Sequence, residues 1–327
     1  MAWLSKKTVT RLVIFLLAVG CLQTFNRENL SLAGEVKGSP EALSPSTLIP
    51  DTLIPETEDG RAYRQIVNYA DRHNLAQESM GQIMQTVADQ LLGAEYQAGL
   101  LDREPQESLF VSLKKFDCFL FIETVLAIAN NLKQQDYSYQ ALTHKIEDQR
   151  YWNGKMNGYC SRLHYFSDWI EDNTRRGNVQ NITQQLGGID AVKKINFMTT
   201  HRSSYPNLIQ GDLNFQCIAR VENNLSSTFN YIPTQNIDQT YPQLQPGDII
   251  GVATNIAGLD FTHTGLVYQQ PHGEIGFIHA SPAGKVVIAQ DLQKYISNVE
   301  NAIGIVVTRA REPILPKSPR LSKFPRN

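Results

Sequence analysis

The spacing of apolar residues changes once along this chain, and that change restricts the fold it can adopt. Met80, Ile83, Met84, Val87 and Leu91 recur at helical spacing, as do Phe121, Ile122, Val125, Leu126, Ala129 and Leu132. These stripes predict helices over 78–93 and from Asp117 to Leu132, preceded by one over 61–73. From Tyr137 to Asn181 polarity rises, but Trp152, Tyr159, Tyr165, Phe166 and Trp169 predict helices and loops packed on a core. After the turn signal Gln245-Pro246-Gly247-Asp248 the period shortens. Strands are expected over 249–253, 261–268, 276–280, 285–289 and 302–308, with Gly and Pro between them. Helices first and strands later give an α+β domain, since a doubly wound sheet would alternate the two.

The two ends read differently. Lys6, Lys7 and Arg11 precede an apolar run from Leu12 to Leu22, which has the ~7–15 residue length of a signal h-region. Residues 1–33 are therefore expected to be a signal peptide or an anchor. Ala18-Val19-Gly20-Cys21 resembles a lipoprotein box, with membrane attachment at Cys21, while Ser31-Leu32-Ala33 offers ordinary cleavage. Either way the expected location is the periplasm or cell envelope. Residues 34–58, with Ser39-Pro40, Ser44-Pro45 and a repeated Thr-Leu-Ile-Pro, are expected to be a linker. The folded domain is placed at 59–310, and the basic, Pro-rich residues 311–327 are expected to be a solvated, disordered tail. A formal net charge of −2 argues against a nucleic-acid partner. No stretch after residue 25 approaches the ~20 apolar residues of a membrane span. Nothing in the sequence speaks to oligomeric state.

Cys118 is the first candidate for chemistry. Asp117 is a favoured N-cap residue, so Cys118 would open the helix. There the helix dipole and unpaired backbone N–H groups favour a thiolate and could face an oxyanion. The competing reading is a buried structural cysteine. His263 shares a strand face with Phe261, Gly265 and Val267, and His279 ends the next strand. Each alone reads more readily as a packed core histidine. Together they supply what a nucleophilic thiol needs: an imidazole to carry its proton and a third polar group to orient that imidazole. Cys160 and Cys217 are candidates for a disulfide after export, a pairing that spacing leaves open. The cysteines lack zinc-site spacing, and there is no His-Glu-x-x-His, Cys-x-x-Cys, Gly-x-Ser-x-Gly or phosphate loop. No metal or cofactor is expected.

Asp117-Cys118, then His263 with Gly265, then His279-Ala280-Ser281 resembles the papain-like cell-wall cysteine hydrolases of the NlpC class. Further segments resemble one branch of it, the N-acetylmuramoyl-L-alanine amidase-like family. They are Leu91-Leu92-Gly93-Ala94-Glu95-Tyr96, Phe116-Asp117-Cys118 with Phe121-Ile122-Glu123, and Ser161-Arg162-Leu163-His164-Tyr165 with Asp168-Trp169. Asn196-Phe197-Met198 with His201 and Tyr205, and Pro246-Gly247-Asp248, complete the set. The resemblance covers residues 78–308. Phe119 and Leu120 stand where small hydroxyl residues often follow the nucleophile, and Ala94-Glu95 where Thr-Pro precedes the tyrosine. The resemblance implies a papain-like α+β fold, with the nucleophile at a helix start packed on a C-terminal antiparallel sheet. It implies a peptidoglycan or muropeptide substrate. Cys118 would be the nucleophile, His263 the base and His279 its orienter. Tyr96, Asp117, Arg162 and His164 are substrate-binding candidates, with Asp168 and His201 behind them. The implied bond is the amide between N-acetylmuramic acid and L-alanine. The alternatives are a stem-peptide D-glutamyl–diamino acid bond, or wall binding without catalysis.

Overall fold

In the computed structural model, the described residues are 53–313 apart from Ser226. Helix α1 (Glu58–Arg72) opens on Thr57, whose Oγ1 accepts from the Gly60 amide at 3.0 Å. Arg64 donates to the Ile54 carbonyl at 3.1 Å, and Ile54 itself is buried in the main core. Ile54, within the expected linker, is therefore packed against the domain, a correction that follows from its apolar side chain. Helix α2 (Met80–Gln90) starts with a capping box between Ser79 and Gln82. Helix α3 (Cys118–Gln134) is apolar nearly all round and runs through the interior, as such a helix must. Helices α4 (Tyr139–Arg150) and α5 (Phe166–Arg176) occupy the region read as packed helices and loops.

The expected strands all appear: β6 (Ile249–Thr254), β7 (Phe261–Gln269), β8 (Ile275–Ser281), β9 (Lys285–Ala289) and β10 (Ala302–Ala310). Five short ones were not foreseen: β1 (Glu95–Tyr96), β2 (Lys115–Phe116), β3 (Val179–Asn181), β4 (Ile189–Val192) and β5 (Thr228–Pro233). The sheet runs β2-β1-β9-β8-β7-β6-β10-β5-β4, with β3 also on β10. Only β1–β2 is parallel among the described pairs. In the central hairpins Leu266 faces Ile278, and His279 faces Val287. The β6–β7 register shifts between Val252 and Ala253, beside Val252's partner His263.

Strand alternation divides the core in two. Leu266, Ile278 and Ala280 pack in the main cluster with α3. Val267 and Phe277 pack in a second cluster with Leu292 and Ile296 of helix α9 (Leu292–Ser297). Each large side chain so buried contributes about 1.5–3 kcal/mol. A third, smaller cluster joins Tyr159 and Tyr165 to Phe197, Met198, Tyr205, Leu208 and Ile218. It is built by the short helices α6 (Phe197–Thr200) and α7 (Pro206–Ile209) and by α8 (Asp212–Asn224), none of which the apolar pattern announced. Cys160 and Cys217 close a disulfide across this cluster with Cα atoms 6.0 Å apart.

The start of the expected tail is hydrogen-bonded to the domain. Arg311 donates its amide to Asn178, and the Glu312 carboxylate caps α2 by accepting from the Met80 amide at 2.9 Å. Residues 311–313 of the expected tail are thus placed on the domain; residues 314–327 lie outside the described part, as do the expected signal or anchor and most of the linker. Among the described residues no helix is long and apolar enough to cross a membrane.

Candidate active site

The site begins at the N-terminus of α3. Asp117 is extended (φ −88°, ψ 179°) and its carboxylate accepts from the amides of Phe119 at 3.0 Å and Leu120 at 2.8 Å. Two of the first-turn donors expected to face an oxyanion are therefore taken by the cap. Burial pushes the Asp117 carboxyl up to about 7, against the Leu120 amide, which favours the anion. Cys118 follows as the first helical residue, buried with 4% exposure. Its sulfur is disulfide-bonded in the structure, so any nucleophilic role belongs to the reduced form. Thr264 of β7 donates from Oγ1 to the Cys118 carbonyl at 3.0 Å, which ties the helix start to the strand beside His263.

His263 and His279 form the second element. Nε2 of His263 lies 2.7 Å from Nδ1 of His279, with the rings perpendicular and their centroids 4.8 Å apart. Because this bond uses Nε2, a proton exchanged with a thiol passes through Nδ1 of His263. Of the two ways to share the proton, only donation by Nε2 leaves Nδ1 a base. Burial lowers His263 to about 3, and burial together with its neighbour lowers His279 well below the usual range. Both rings are therefore neutral at pH 7, the form that can accept a proton.

The pair depends on close packing. A Cβ on Gly265 would stand 2.5 Å from the Phe277 ring and 2.8 Å from Cβ of His279, so only glycine lets β8 lie this near. Phe277 stacks on His279 at 4.9 Å, and Tyr295 of α9 contacts it at 4.7 Å.

Cys118, Asp117 and His263 line one cavity of about 170 Å³, together with Arg162, Tyr159 and Tyr205. Arg162 is buried and bonded to Asp102 at 2.5 Å and to the Leu101 carbonyl at 3.0 Å. Glu107 lies 3.7 Å from its Nε, and its guanidinium sits 5.0 Å over the Tyr159 ring. Burial works against its charge, but Asp102 and Glu107 outweigh it and hold it protonated. His164 also lines the cavity. Burial and then Arg162 lower it to about 3, and its Nε2 lies 2.8 Å from the Tyr159 carbonyl. Arg150, a further wall residue, is paired with Glu123 at 2.7 Å in full burial.

Other candidates fall elsewhere. Tyr96 on β1 is half-buried against the main core and outside the cavity lining, although Asp117 is near enough to add to the burial that raises its phenol. Its strand lies between β2 and β9 in the sheet. His279 stands behind His263 and not on the wall. Asp168 accepts from Trp152 Nε1 at 3.1 Å, away from the wall, and burial pushes it up to about 7. His201 stacks on Phe197, 4.0 Å between centroids, and serves the third cluster.

Sequence reasoning missed Asp102, Tyr159, Tyr165 and Met198 as wall residues, and Tyr205 carried no assigned role. The aromatic density of 159–166 was the available signal; nothing marked Asp102. Among the described residues no group of three His, Cys, Asp or Glu is placed to hold a metal ion.

Comparison with known proteins fits this picture. A family model described as AmiA-like, N-acetylmuramoyl-L-alanine amidase-like, matches residues 86–305. A crystal structure of an N-acetylmuramoyl-L-alanine amidase from Bacteroides uniformis is 29% identical, with a TM-score of 0.67, covering 71% of this chain and 99% of that one. A Bacteroides fragilis protein named as a candidate xylanase is 30% identical, with a TM-score of 0.65, covering 68% and 99%. A Legionella pneumophila protein at 22% identity and TM-score 0.57, covering 78% and 95%, shares the fold. No curated protein matches the chain. The α+β architecture and a family model spanning most of the domain agree, and the chain belongs to the AmiA-like, N-acetylmuramoyl-L-alanine amidase-like family.

Proposed function

We propose that this protein is an exported cysteine hydrolase that cleaves the amide between N-acetylmuramic acid and L-alanine in peptidoglycan. The observation that carries the reading is the His263–His279 bond of 2.7 Å, with His263 on the same cavity wall as Cys118. In the reduced enzyme, His263 Nδ1 takes the Cys118 proton as the sulfur attacks the lactyl carbonyl carbon. The tetrahedral oxyanion collapses, the C–N bond breaks, and the imidazolium gives its proton to the alanine nitrogen. This leaves a thioester on Cys118 and a free amine. A water then loses a proton to His263 and attacks the thioester, and the muramoyl carboxylate departs as the thiol re-forms. His279 holds His263 in the tautomer that each step needs.

A papain-like fold of the NlpC class suits the helix-start cysteine against β7. Export rests on the cations and apolar run before residue 23, and the Cys160–Cys217 disulfide supports an oxidising compartment. Arg162, Tyr159 and Tyr205 would shape the wall for the substrate.

The test is the release of soluble fragments from purified peptidoglycan by reduced enzyme, with xylan as the contrasting substrate. Cys118→Ala and iodoacetamide are expected to abolish release while circular dichroism is unchanged and chelator has no effect. Full activity of Cys118→Ala sinks the nucleophile assignment; sensitivity to chelator alone favours a metal mechanism. Binding of muropeptides without product favours the non-catalytic alternative.

A further inference from the structure

The His263–His279 bond sits in an aromatic setting that the reaction itself does not account for. Phe277, His279 and Tyr295 are in mutual contact, with centroids 4.9 Å, 4.7 Å and 5.1 Å apart. His263 meets Phe277 edge-on with centroids 5.9 Å apart and lies tilted toward Tyr295 at 6.2 Å. Phe277 comes from the strand that carries His279, two residues before it, and Tyr295 comes from α9 on the far face of the sheet from α3. The two imidazoles are thus held from two elements independent of the helix that carries Cys118.

This packing answers a specific problem. The terminal torsion of histidine is broad and roughly two-fold. A half-turn of the His279 ring would exchange Nδ1 for a carbon and break the bond to His263. A phenyl face stacked at 17° to His279 removes the room for the turn, and Tyr295 braces that stack from the helix.

We propose that Tyr295, acting with Phe277, is a positioning residue that fixes the His279 ring and through it the proton path of His263. The proposal rests on the His pair serving catalysis, but its test does not. A buried imidazole N–H bonded to nitrogen gives a slowly exchanging downfield proton resonance. This signal is compared in wild type, His279→Ala, Tyr295→Phe and Tyr295→Leu, together with kcat and KM on muropeptides.

The expected result is a resonance present in wild type and Tyr295→Phe, absent in His279→Ala, and lost or broadened in Tyr295→Leu. In Tyr295→Leu kcat falls about tenfold or more, part of what general acid–base catalysis supplies, with KM unchanged. A resonance and kcat retained in Tyr295→Leu overturn the proposal, as does a resonance missing from folded wild type. Loss in Tyr295→Phe as well assigns the role to the hydroxyl and overturns the reading of the ring. If wild type is inactive on muropeptides, the functional reading fails while the resonance still decides the positioning role.

Discussion

Replacing Gly265 by alanine should injure the site and the fold together, by an amount the structure allows one to work out. The added Cβ would meet the Phe277 ring at 2.5 Å and 2.6 Å and His279 Cβ at 2.8 Å, where ordinary contact begins at 3.4 Å. Neither contact is with the far end of a flexible chain, because the ring is buried and stacked. β8 must therefore give by about 0.6 Å at His279, which takes the 2.7 Å bond to His263 beyond the ~3.2 Å limit for N–H donors. Overpacking of this kind costs about 1–3 kcal/mol. At about 2–4 °C per kcal/mol for a domain of this size, Tm falls by about 2–12 °C. With His263 no longer oriented, kcat falls about 100-fold, at the low end of what general acid–base catalysis contributes. Thermal denaturation followed by circular dichroism and fragment release from peptidoglycan measure the two effects. Wild-type Tm together with wild-type kcat would refute the argument that close strand approach at Gly265 sets the His pair.

Two further expectations follow from buried charge. Arg150→Met leaves Glu123 ionisable and unpaired in full burial, and breaking such a pair costs about 3–5 kcal/mol; a denaturant midpoint equal to wild type contradicts this. The Asp117 carboxyl is raised to about 7 from 3.8, so the folded state binds more protons there than the unfolded chain, and this group's contribution weakens as pH rises from about 4 to about 7. Asp117→Asn keeps a capping oxygen without titrating, so its Tm relative to wild type should rise across that window, and a constant difference contradicts the shifted carboxyl.

The legible parts of this fold were those where one physical signal dominated. Helix α3 and strands β6, β7, β8 and β10 are largely buried, so their apolar patterns set their limits to within a residue or two. Cys118 and His263 were legible because a cap residue and a strand register place them without long-range information. The walls were not. Asp102 reaches the cavity from the loop between β1 and β2, where it pairs with Arg162, and Tyr205 from the third cluster. Tyr295 lies 16 residues beyond His279 in sequence and meets it only because α9 folds back over the sheet. Tyr96, a substrate-binding candidate from the resemblance, sits on β1 between β2 and β9, outside the cavity lining but close enough to Asp117 to feel its charge.

Mass spectrometry of muropeptides after digestion by reduced wild type and by Cys118→Ala tests the central claim most directly. The account predicts that wild type yields peptides with a free L-alanine amine and glycans ending in an unsubstituted lactyl carboxylate, and that Cys118→Ala yields neither. Products with the muramoyl–alanine bond intact, or the same products from both enzymes, would contradict it.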